Sequence, residues 1–177
     1  MTKPRNWLKD GAYHITNRGT RKEPIFFNEM DKHKFMLILV ETRHKYHFKL
    51  HAYCLMPNHY HLLIQTESSN PSEIMKVIQQ RYSRYFNKMY QSTGHVFQER
   101  FHSSLITEQD YWLNASRYIH MNPVAAGLVT KAQDYPWSSY PTYLIYTSIK
   151  HPLVDTSTTL SFFHNNSREL YKKFVEN

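Results

Sequence analysis

Apolar and polar residues first alternate over Ala12-Tyr13-His14-Ile15-Thr16-Asn17-Arg18, which reads as a strand stopped by Gly19. A short basic loop with Arg21 and Lys22 and the apolar run Ile25-Phe26-Phe27 follow. Phe35, Ile38, Leu39 and Thr42 then recur at helical spacing with no intervening Pro or Gly, predicting a helix over 29–46 capped by Asn28. Two strand-like segments, 48–56 and 59–66, are joined by Pro57-Asn58. Proline presets φ for the first central turn position and Asn tolerates the second, so the pair predicts a tight antiparallel hairpin. Ile74, Val77, Ile78, Tyr82 and Tyr85 form the apolar stripe of a second helix. It should begin at Ser69 or Asn70, hold Pro71 in its first turn, and end near Met89.

Gly94 opens a segment, 96–106, that reads as a further strand. Thr107 and Asp110 resemble a capping box with Asp in place of Glu, predicting a third helix over 108–121. Pro123 should limit that helix, because the residue before a proline avoids α geometry; a short helical stretch over 123–126 then precedes Gly127. From Thr130 the pattern dissolves into Tyr, Pro, Ser and Thr, apart from a helical segment near 168–175, and this part reads as an appended arm more than core. The order β-α-β-β-α-β-α predicts an α+β fold, helices packed on an antiparallel β-sheet of four or more strands with ferredoxin-like connectivity.

Composition narrows the class. The 177 residues fit one compact unit, and 41% apolar with 15% aromatic residues can build a core. The single cysteine, Cys54, excludes an internal disulfide framework and a Cys-rich zinc site. Apolar runs fall far short of the ~18 residues that span a bilayer, and no signal-peptide h-region is present, so no membrane association is expected. The 22 Lys+Arg exceed the 14 Asp+Glu by 8, and the chain carries 14 Tyr and 12 His. Cations neutralise phosphates and rings stack on bases, a combination that suits nucleic acid without requiring it.

Two constellations can carry chemistry. His59 and His61 flank Tyr60 at the start of a strand, where i and i+2 share a face, and two imidazoles so placed can reach one divalent ion. With 12 histidines in the chain, a His-x-His pair also arises by chance. Tyr118 and Asn122 stand at i and i+4 near the end of the third helix and address one site, whereas His120 faces elsewhere. A tyrosine phenol can attack phosphorus, and an amide oxygen would complete a His, His, Asn set suited to Mg²⁺ or Mn²⁺. Equally, Tyr118 can be core, and Asn122 before Pro123 can cap a helical turn.

Taken together, these segments resemble a known family. Met56-Pro57-Asn58-His59-Tyr60-His61-Leu62-Leu63 is similar to the M-P-N-H-x-H-L-L segment of Y1 transposases of the IS200/IS605 type, within the His-hydrophobic-His endonucleases (the HUH motif). Arg117-Tyr118-Ile119-His120-Met121-Asn122-Pro123-Val124 resembles the R-Y-I-H-x-N-P-V segment of the REP-associated tyrosine transposases. Three more stretches agree with that branch: Tyr13-His14-Ile15-Thr16-Asn17-Arg18-Gly19, Phe97-Gln98-Glu99-Arg100-Phe101, and Tyr135-Pro136-Trp137-Ser138-Ser139-Tyr140. The resemblance spans about residues 10 to 142, in order.

The resemblance implies a catalytic domain over 1–142, with 143–177 as an extension packed on it or contacting DNA. It implies that His59 and His61 are metal ligands and that Tyr118 attacks a single-stranded DNA phosphodiester, forming a 5′-phosphotyrosine and freeing a 3′-OH. Asn122 stands where mobile-element members carry Gln as third ligand, and Mg²⁺ or Mn²⁺ is the implied cofactor. The implied partner is single-stranded or hairpin DNA of the REP type, and the implied setting is a bacterial cytoplasm, at the nucleoid. A monomer is expected from the REP-associated branch; dimers that exchange the tyrosine helix occur among mobile elements. Two rivals stay open: a regulator that binds the hairpin without cutting, and an ordinary mobile-element transposase. No general base for Tyr118 is assignable.

Other residues are candidates on position alone. Asn17, Arg18, Arg21 and Lys22 end a strand beside a basic loop and can hold DNA or simply be solvated. Arg81 and Arg84, with Lys76 and Lys88, form either a phosphate-tracking face or the wet side of a helix. Gln98 and Arg100 alternate in the expected strand and are read as DNA contacts or active-site support. Trp137 is read as an anchor for the C-terminal arm, and His14 as structural.

Overall fold

The computed structural model describes residues 7–145 and 153–177; residues 146–152 of the expected extension lie outside the described residues. Four strands, β1 (Ala12–Arg18), β2 (Phe48–Met56), β3 (His59–Thr66) and β4 (His102–Ile106), form one antiparallel sheet in the order β2-β3-β1-β4. This is the α+β architecture expected, and the Pro57-Asn58 hairpin has the expected bounds.

Helices α1 (Glu29–Tyr46) and α2 (Pro71–Met89) cover one face of the sheet. Asn28 caps α1 with a complete capping box: its side chain accepts from the Asp31 N–H while the Asp31 carboxylate accepts from the Asn28 N–H. Asn70 caps α2 directly ahead of Pro71. Alternation in β3 sends Tyr60, Leu62 and Ile64 into this layer with Phe35, Ile38, Tyr82 and Phe86. The same alternation sends His59, His61 and Leu63 to the opposite face, where α3 (Gln109–Ala125) packs through Trp112, Ala115 and Ile119.

Three expectations need correction. The segment 96–106 is a strand only from His102. Thr20 and Gln98 still exchange backbone bonds with Val96 and Arg18, but the Asn17 amide donates to the Glu99 carbonyl and takes that carbonyl from the ladder. Gln98 and Arg100 therefore lie in a loop and do not alternate in a strand. The expected Thr107/Asp110 capping box is absent, since α3 starts from Glu108 without a side-chain cap bond. Pro123 does not limit α3. The helix runs through it, and the Ala126, Gly127 and Leu128 N–H groups close on Asn122, Val124 and Pro123 carbonyls, with Gly127 at φ 68° turning the chain away.

The C-terminal part, expected as an appended arm more than core, is bound into the core. Short helices α4 (Tyr140–Leu144) and α5 (Ser157–Ser161) and the longer α6 (Ser167–Glu176) bring in Tyr140, Tyr143 and Tyr171, all fully buried. Segments around Ser138 and Val154 bridge to Cys54 and Leu50 and so line the outer side of β2. Trp137 packs on α1, its ring beneath the Lys32 ammonium and edge-on to His33. No helix among the described residues is long and apolar enough to cross a membrane.

Candidate active site

The α3 face of the sheet leaves its lower half open. Register places Thr16 opposite both His61 and His102, and Arg18 opposite His59, so β1 runs between two histidine-bearing strands. Since i and i+2 share a face, His14, Thr16 and Arg18 line up with His59, His61 and His102. The result is an open cleft of about 770 Å³, with Arg18, Lys22, Arg100, His59, His61 and Tyr118 among its walls.

α3 supplies Tyr118 and Asn122 from adjacent turns. The Tyr118 ring packs edge-on to His61 at 5.3 Å and to His14 at 6.0 Å, centroid to centroid. It is nonetheless 54% exposed, so its phenol is open to a ligand in the cleft. Asn122 Oδ1 lies 3.1 Å from His59 Nε2, and Asn58 Oδ1 lies 2.7 Å from His59 Nδ1. His120, on the inner side of α3, bonds Ser139 Oγ and the Tyr171 hydroxyl at 2.8 Å each and does not enter the cleft. These bonds clamp the helix that presents the tyrosine.

Burial sets the charge state. It lowers the His61 imidazole to about 2 and the His14 imidazole to about 4, with neighbouring histidines adding to the effect. His59 is lowered as well, mainly by burial and partly by Arg18, against its hydrogen bond to the Asn122 amide oxygen. All three rings are neutral near pH 7 and offer lone pairs. Among the described residues, His61 Nε2 is the buried side-chain polar atom without a hydrogen-bond partner. No group of three His, Cys, Asp or Glu side chains converges as a metal cage among them either. A two-histidine, one-amide set still fits a divalent ion that keeps water or phosphate as further ligands. The 3.1 Å between His59 Nε2 and Asn122 Oδ1 is close to the ~3 Å between neighbouring ligands on an octahedral ion with ~2.1 Å bonds.

Of the other candidates, Asn17, Arg18, Lys22 and Arg100 line the cleft. Asn17 is buried and committed to the Glu99 carbonyl and the Arg18 N–H, while Gln98 accepts from Arg18 Nε at 2.8 Å. Arg21 is exposed on a turn at φ 56° and is not part of the cleft wall. Arg81 and Arg84 belong to α2, on the opposite face of the sheet, and Arg81 pairs with Glu41. Sequence reasoning set His14 aside and passed over Thr16 and His102. Their signal was the alternation of β1 and β4, legible only once the strand register is known.

Comparison with known proteins gives this cleft a setting. The family model described as "Transposase IS200 like" matches residues 8–122, from before β1 through Asn122. The chain belongs to the IS200-like transposase family. A Haemophilus influenzae protein that carries the name REP-associated tyrosine transposase is 28% identical over 152 residues, covering 77% of this chain and 83% of its own. The fold is similar to that of a REP-associated tyrosine transposase solved bound to a REP hairpin. The TM-score is 0.70 at 19% identity, over 89% of this chain and 96% of that one. The IS200-like match takes in every residue that lines the cleft, from Thr16 to Tyr118, and ends on Asn122.

Proposed function

We propose that this IS200-like protein is a metal-dependent, single-strand DNA nicking and strand-transfer enzyme acting on REP-like palindromic hairpins. The observation that carries the reading is an exposed Tyr118 phenol whose ring leans on His61, in the same cleft as the unpartnered His61 Nε2. Likeness to proteins named REP-associated tyrosine transposases, one of them bound to a REP hairpin, supports the choice of substrate.

Tyr118 acts as nucleophile. Its Oη forms a bond to the scissile phosphorus as the bond from phosphorus to the 3′-oxygen breaks; the phenol gives up its proton and the 3′-oxygen gains one. The product is a 5′-phosphotyrosine and a free 3′-OH. The ester keeps the energy of the broken bond, so rejoining by a second 3′-OH needs no nucleotide cofactor. His59, His61 and Asn122 would hold Mg²⁺ or Mn²⁺, which when bound supplies charge stabilisation to the phosphate in the transition state. Arg18, Lys22 and Arg100 hold the DNA strand along the cleft. Tyr118 lines the same cleft as His59 and His61 of its own chain, which supports a monomer as the working unit.

The test is a labelled single-stranded hairpin incubated with the protein and Mn²⁺, followed by a denaturing gel. A covalent protein–DNA adduct is expected with wild type and none with Tyr118→Phe. Binding of the hairpin without an adduct would instead show a regulator that no longer cuts, and cleavage unchanged in EDTA would remove the metal.

A further inference from the structure

His14 stacks beside His61 at 5.3 Å between ring centroids, and its Nε2 lies 3.1 Å from His61 Nδ1. Two neutral imidazoles facing through these atoms share one proton, so one of the two nitrogens is the donor and the other the acceptor. With the proton on His14, His61 carries its own hydrogen on Nε2, as a buried donor without an acceptor. With the proton on His61, Nε2 is left as a buried lone pair, likewise without a partner in the protein but able to take a cation, and His14 is the acceptor. The hydrogen left to His14 then sits on its Nδ1, which is not a buried unpartnered atom.

We propose that His14 is a positioning residue for the metal centre: its Nε2 accepts the Nδ1 hydrogen of His61 and fixes the tautomer and ring plane in which His61 Nε2 can bind a divalent cation. This rests on the metal-dependent reading above. Metal-binding histidines ordinarily donate their second N–H to a carboxylate, a carbonyl or water. His61 has no such protein partner, and an imidazole from the neighbouring strand takes the place. The strand pairing holds it there: His61 is opposite Thr16, and His14 is the diagonal neighbour on the same face. Tyr118 packs on both rings, so the orientation of His61 is linked to that of the nucleophile.

The experiment uses the full chain and Mn²⁺ alone. Free Mn²⁺ is read from its EPR signal in titrations of wild type, His14→Ala and His14→Gln, and thermal melts confirm that each variant is folded. Long-range ¹H–¹⁵N NMR of the metal-free protein reads the His61 tautomer. Glutamine is the rescuing variant, because its Oε1 reaches the place of the imidazole Nε2 and accepts a hydrogen bond. His61 should be protonated on Nδ1 in wild type. His14→Ala should raise the Mn²⁺ dissociation constant ~10–100-fold, and His14→Gln should recover most of the loss. A folded His14→Ala that binds Mn²⁺ like wild type overturns the proposal, as does a wild-type His61 protonated on Nε2. A wild type with the Nδ1–H tautomer that binds no Mn²⁺ overturns the metal-dependent reading itself, and the proposal with it.

Discussion

Asp31 shows how one buried side chain can hold several elements. Its carboxylate accepts from the Phe27 and Asn28 N–H groups and from the Tyr85 and Tyr90 hydroxyls, joining the start of α1 to the end of α2. Asp31→Ala would strand four donors and should cost ~3–5 kcal/mol, read from urea denaturation midpoints. Cys54 is the opposite case, a residue with reactive chemistry and no access. Burial raises its thiol well above the usual range, so native protein should resist thiol reagents and react only on unfolding. A labelling rate that tracks native concentration would contradict this. Among the site residues, His59 and His61 were legible from i, i+2 spacing, and Tyr118 and Asn122 from i, i+4. His14 was not, because its place beside His61 depends on a diagonal contact between strands far apart in sequence.

Elements with strong periodicity and caps were legible almost to the residue: α1, the β2–β3 hairpin and α2. The failures have local causes. A strand pattern over 96–101 was overruled by one amide, Asn17, that claims the Glu99 carbonyl. The tyrosine-rich C-terminal part looked polar and aperiodic, yet its hydroxyls are satisfied inside: Tyr135 donates to the Leu55 carbonyl, Tyr143 to the His51 carbonyl, and Tyr140 to Glu176. A buried tyrosine with a partner behaves as a large apolar residue. Tyr171 connects α6 to α3 through Ser116 and His120. Tyr171→Phe keeps the ring and removes these bonds, and should destabilise by ~1–2 kcal/mol in chemical denaturation. A loss of this size should loosen α3 and lower adduct formation in parallel.

At the scale of the whole molecule, charge and protonation set the working conditions. The excess of 8 positive charges is spread over the chain, but the cleft gathers Arg18, Lys22 and Arg100. If each meets one phosphate of a single strand, Arg100→Ala should lower the slope of log K against log salt by ~0.7, measured by fluorescence anisotropy. The effect should be the same for different DNA sequences, as expected of a phosphate contact. Acid should weaken the fold. Burial holds His51 below its ordinary value despite the Asp155 carbonyl, so the unfolded chain takes up a proton near pH 6.5 while the native chain does not. Below that pH the unfolded state binds more protons, and stability falls as the pH drops. His51→Gln should flatten this decline in thermal melts between about pH 6.5 and 5.

The two margins of the sheet also bear on aggregation. β4 is an edge of only five residues, cut short by the Asn17–Glu99 bond. Along β2, the other edge, backbone bonds from Leu55 to Trp137, Ser139 to Tyr53 and Asp155 to Leu50 occupy groups that a foreign strand would otherwise pair with. An unguarded edge is a template for aggregation. The C-terminal segments thus serve as a built-in shield, and a chain cut before Tyr135 should scatter light and precipitate at concentrations where the intact one stays clear.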